Sequence, residues 1–195
     1  MLFGAVSLAA CGDAADPLPR LAPDAVILAF GDSLTFGTGA RDYQSYPALL
    51  ATRTGRTVIN AGKPGEETVH GLRRLARELD RHQPDLLVLC HGGNDILRKR
   101  DPAATEANLR EMIALARQRS IPVVMIAVPN IGFFLSAADL YENIAEDLRV
   151  PTQDDILADV LGDNRFKSDH VHPNAAGYAR LAEAVEALLM DHGAL

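Results

Sequence analysis

DHVH (169–172) places an acid and two histidines side by side, and Pro173 and Asn174 follow at once. Three readings fit these residue types. Asp169, His170 and His172 could start a metal site, one histidine could be a general base with Asp169 orienting it, or the stretch could be a polar loop. A metal needs a third and fourth ligand, and the sequence supplies no obvious ones. A general base needs a nucleophile. Ser33 in GDSLTFG (31–37) sits in a tight connection flanked by Gly31 and Gly37, where a hydroxyl can be exposed beside free backbone N–H groups. Serine attacks well only when an imidazole takes its proton and a carboxylate fixes the tautomer of that imidazole. Asp32 and Ser33 are equally the residue types that cap helices.

Acyl transfer has a further requirement, because negative charge builds on the carbonyl oxygen and preorganised donors must meet it. Gly62, in NAG (60–62), would let a backbone N–H approach a substrate, and Asn94, in GGND (92–95), offers a side-chain amide. Taken singly, both residues read equally well as turn positions.

The elements that must position these residues alternate. Apolar runs at 26–30 (VILAF), 57–60 (TVIN), 85–90 (DLLVLC) and 122–128 (PVVMIAV) read as strands. Helical spacing falls at 45–55, 68–83, 108–120, 138–150 and 174–190, and the second of these is amphipathic with its basic residues predicted outside. Strand–helix alternation predicts an α/β fold with a parallel sheet covered on both faces. In such sheets sites form beyond the carboxyl ends of the strands, where GDSLTFG, NAGKPGEE and HGGND all fall.

Taken in order, GDSLTFG, NAG, GGND and DHVHP (169–173) give the chain a specific likeness. Over residues 26 to 190 it resembles the SGNH (GDSL) hydrolase family, and SLTFGTGARDYQSYPALL resembles the subfamily of thioesterase I, lysophospholipase L1 and arylesterases. The resemblance implies a three-layer α/β/α sandwich with a mostly parallel, flavodoxin-like sheet of about five strands. It implies Ser33 as nucleophile, His172 as base and Asp169 as its orienting acid. The Ser33 N–H, the Gly62 N–H and the Asn94 amide would form the oxyanion hole. Neither metal nor organic cofactor is expected, and His170 receives no role. The substrate would be a small acyl ester or thioester. An O-acetyl-ester deacetylase acting on envelope polysaccharide and a non-catalytic envelope binding module are the alternatives. KPGEE (63–67) and ILRKRD (96–101) depart from the usual family residues but touch none of the four blocks' functional positions.

Asn174 is placed to cap the closing helix, whose positive end would disfavour imidazolium at His172. Phe133, Phe134 and Leu135, in the loop after the fourth strand, either line an acyl groove or pack as core. His91 reads as structural.

With 195 residues the chain suits one domain, and a net charge of -7 without a basic stripe argues against nucleic-acid binding. LAAC (8–11) resembles the lipobox of bacterial lipoproteins, although no Lys or Arg precedes it. Residues 1–23 are accordingly expected to be a lipoprotein signal and flexible tether, with Cys11 lipid-modified, and the hydrolase domain to span 24–195. That reading favours a monomer held in the periplasmic envelope, with a soluble periplasmic or cytoplasmic protein as the alternative. Cys90 follows a strand and reads as a buried thiol, so no disulfide framework is expected.

Overall fold

The computed structural model describes residues 15–130 and 138–195. Five strands, β1 (Val26–Gly31), β2 (Thr57–Gly62), β3 (Leu86–Cys90), β4 (Val123–Ile126) and β5 (Thr152–Gln153), form one sheet in the order β2-β1-β3-β4-β5. Every pairing is parallel, with Gly31 level with Gly62 on one side and with Cys90 on the other. Ile27 to Phe30 and Leu86 to Cys90 are fully buried, as expected of strands covered on both faces. β5 is too short to carry a period, which is why the sequence pattern reads only four strands.

The helices are α1 (Ser33–Phe36), α2 (Tyr46–Thr54), α3 (Thr68–His82), α4 (Gly93–Leu97), α5 (Pro102–Arg117), α6 (Asp139–Leu148), α7 (Ile156–Gly162) and α8 (Ala175–Asp191). α8 packs against α2 and α7, while α5 packs against α3 and α6, giving the outer layers of an α/β/α sandwich. α5 starts well before the predicted residue 108. Pro102 occupies its first turn and the Asp101 carboxylate accepts from the Ala103 N–H at 3.0 Å, a start signal that lies ahead of the apolar periodicity. Strand order reverses at β1, whose chain runs first to β2 and returns to β3. The crevice between the ends of β1 and β3 is therefore the topological switch point, and the site lies there.

Packed structure also begins earlier than Asp24. The N–H groups of Asp16, Leu18 and Leu21 donate to carbonyls of Arg149, His192 and Ala194 at 3.0, 2.9 and 2.8 Å, and Leu21 is buried. Backbone pairing with the residues that follow α6 and α8 thus holds the later part of the expected tether. Cys11 lies outside the described residues. Among those described, no helix is long and apolar enough to cross a membrane.

Candidate active site

The loop ahead of α8 is folded by its own polar groups. Lys167 bridges to Pro173, and the Ser168 N–H donates to the His172 carbonyl at 2.9 Å. One Asp169 oxygen accepts from the N–H groups of Val171 (2.8 Å) and His172 (2.9 Å), an Asx turn that sets the three-residue spacing. This leaves the other oxygen 2.8 Å from His172 Nδ1. Asn174 fastens the loop to the helix: its carbonyl caps the Ala176 and Gly177 N–H groups, and its amide donates to the Arg165 and Lys167 carbonyls. A carboxylate at Nδ1 assigns the proton there, so Nε2 is the acceptor facing Ser33 Oγ at 3.0 Å. Burial pushes the Asp169 carboxyl upward, but hydrogen bonds from Val171 and His172 and the imidazole charge outweigh it and hold it below the usual value. His170 is exposed, and no hydrogen bond or ion pair joins it to another described residue. Among the described residues no group of three His, Cys, Asp or Glu side chains could hold a metal ion.

Ser33 opens α1 directly beyond β1. Asp32 does cap this helix, accepting from the Leu34 N–H at 3.0 Å, so capping and site-building coexist in one dipeptide. Its second oxygen lies 3.3 Å from Asn94 Nδ2. Burial raises the Asp32 pKa, and the opposing pull of His91, the Leu34 N–H, Asn94 and His172 does not cancel that rise. Asn94, at the start of α4, also donates to the Glu66 carbonyl at 3.1 Å.

Gly62 does not fill its expected place. Its N–H donates to Asn60 Oδ1 at 2.9 Å, and its α-carbon packs against the backbone of Thr35 and Phe36. A glycine is required there because a Cβ would strike α1, which is a packing reason and not a donor role. Farther along the same loop, Gly65 turns the chain at φ +76°, and no described residue accepts a hydrogen bond from its N–H.

A cleft lies over Ser33 and His172. Leu34, Leu97, Val128, Pro129, Leu161 and Val171 give it apolar walls. These side chains come from five separate segments, so no local sequence pattern marks them. Phe133, Phe134 and Leu135 lie outside the described residues. Two other participants escaped the sequence reading: Glu66 of the KPGEE loop, which His91 contacts, and Arg74, which turns inward from α3 although the basic residues of that helix were expected outside. Arg74 is drawn in by buried Glu66 and by the Phe30 ring, over which its guanidinium sits at 4.1 Å.

A serine, histidine and aspartate in hydrogen-bonded series, at the switch point of a parallel α/β/α sandwich, define a serine hydrolase. The chain belongs to the GDSL-like Lipase/Acylhydrolase family, whose model matches residues 29–180, and it is a hydrolase acting on ester bonds. An arylesterase of Vibrio mimicus is 34% identical over 177 residues, covering 85% of this chain and 88% of the relative. Thioesterase 1/protease 1/lysophospholipase L1 of Escherichia coli (strain K12) is 32% identical over 163 residues, covering 80% and 78%. The crystal structure of TesA superposes with a TM-score of 0.78 at 29% identity, covering 86% of this chain and 99% of that one.

Proposed function

We propose that the protein hydrolyses small carboxylic esters and thioesters through an acyl-enzyme on Ser33. The observation that carries this is the relay in which His172 Nε2 stands 3.0 Å from Ser33 Oγ and Nδ1 stands 2.8 Å from Asp169. Ser33 Oγ attacks the acyl carbonyl as His172 accepts its proton, and ionised Asp169 stabilises the imidazolium. The tetrahedral oxyanion is met by the Ser33 N–H, the Asn94 amide and the Gly65 N–H, which takes the place first expected of Gly62. Collapse transfers the His172 proton to the departing alkoxide or thiolate. Water then attacks the acyl-serine while His172 again takes a proton, and the carboxylic acid leaves as Oγ is reprotonated.

Hydrolysis of p-nitrophenyl esters and acyl thioesters by wild type and Ser33→Ala tests the reading. Activity is expected in the wild type and a loss of roughly 10³-fold or more in the variant. Equal rates would remove Ser33 from this role. LAAC supports an envelope location with Cys11 lipid-modified, and metabolic palmitate labelling that disappears in Cys11→Ala is the expected result.

A further inference from the structure

The buried carboxylate of Glu66 belongs to none of the steps above, yet it lies directly behind the donors those steps need. Its side chain is 1% exposed and receives Arg74 Nη2 at 2.6 Å, with Arg74 Nε 3.2 Å from both oxygens. His91 Nε2 approaches the same carboxylate at 3.4 Å. Because His91 Nδ1 accepts from the Gly92 N–H at 2.9 Å, the ring proton is assigned to Nε2 and points at Glu66. Burial pushes the Glu66 carboxyl up, but the hydrogen bonds from His91 and Arg74 and the Arg74 charge outweigh it and bring it to about 2, so it is anionic throughout the working range.

The groups around it belong to all three strand ends that carry the site loops. Arg74 also donates to the Ala61 carbonyl at the end of β2 (3.1 Å) and to the Gly31 carbonyl at the end of β1 (3.4 Å). His91 follows β3 directly, and the Tyr141 hydroxyl fixes its carbonyl at 2.7 Å. The main chain of Glu66 in turn holds the Asn94 amide at 3.1 Å, the shorter of the two bonds from Nδ2. Both neighbours of Nδ2 are acceptors, which sets the orientation of the amide. The bond to Glu66 anchors it, and an oxyanion would share the N–H that makes the longer bond to Asp32. Gly65, one peptide earlier, carries the N–H that the mechanism above assigns as a further donor.

We infer that Glu66, clamped by Arg74 and His91, is a positioning residue that holds the Asn94 amide and the Gly65 N–H in oxyanion-hole register for ester hydrolysis. A shift of its main chain would misplace two donors at once, and donors matter only where charge develops in the transition state. The inference rests on the acyl-enzyme reading above.

A double-mutant cycle between Glu66→Gln and Asn94→Ala, measured as kcat and KM with active-site titration, tests it. Glu66→Gln keeps the shape of the side chain and removes its charge. Its kcat is expected to fall roughly 10- to 100-fold with KM within about threefold. In the Asn94→Ala background the same change is expected to cost at least about threefold less than in wild type, because one of the two donors it positions has gone. Arg74→Lys keeps the charge and loses the planar fork, and the same coupling is expected of it, so the test stands if Glu66→Gln fails to fold. Wild-type kcat in the folded variants, or effects that simply multiply with Asn94→Ala, would overturn the inference. A wild type without esterase activity would instead defeat the acyl-enzyme reading, so the two failures are distinct.

Discussion

Asp169 serves His172 twice. One oxygen folds the turn and the other holds the ring, so the same side chain sets where the imidazole sits and which nitrogen carries the proton. Asp169→Asn keeps the size but can present an amide N–H to Nδ1, which favours the wrong tautomer. A fall in kcat of about 10²- to 10⁴-fold with little change in thermal midpoint is expected, read by steady-state kinetics and a melting curve. Asn94→Ala should lower kcat by about 10²- to 10³-fold at similar KM. The sequence pointed to these residues through the resemblance of four ordered motifs to a known family, whereas taken singly Asn94 read equally well as a turn position. Gly62 was misread. A glycine that packs against α1 and a glycine that offers an N–H look the same in a sequence, and only the Asn60 bond to the Gly62 N–H separates them.

At the level of elements, the strand ends bring the loops together and α8 steadies the base. Asn174 caps α8 and ties the preceding loop to the same turn, so helix stability and the placement of His172 share one side chain. Asn174→Ala is expected to cost about 1 kcal/mol of stability for the cap and to lower kcat as well. Equal kcat in a destabilised variant would separate the cap from the site. β1, β3 and β4 were legible because strands buried on both faces are continuous apolar runs. β5 was not, since its two residues pair through backbone alone. Nor was the inward turn of Arg74, because helical periodicity treats every arginine as surface and Glu66 reaches it from another loop.

For the whole molecule, the network around Glu66 links stability to pH. Its pKa falls from an ordinary 4.5 to about 2 on folding, so its contribution is complete above 4.5 and is lost as pH falls from there towards 2. The shift corresponds to about 3 kcal/mol, of which roughly 2 kcal/mol is lost by pH 3. Denaturant unfolding at pH 6 and pH 3 should therefore show a smaller acid loss in Glu66→Gln than in wild type. Identical pH dependence would contradict it.

The central claim is that Ser33, activated by His172, forms the covalent acyl-enzyme. Intact-mass and peptide analysis after reaction with a fluorophosphonate tests it most directly, with wild type beside Ser33→Ala and His172→Ala. The account predicts one adduct per chain, on Ser33, absent from Ser33→Ala and formed far more slowly in His172→Ala. An adduct on another residue, or undiminished labelling of Ser33→Ala, would contradict it.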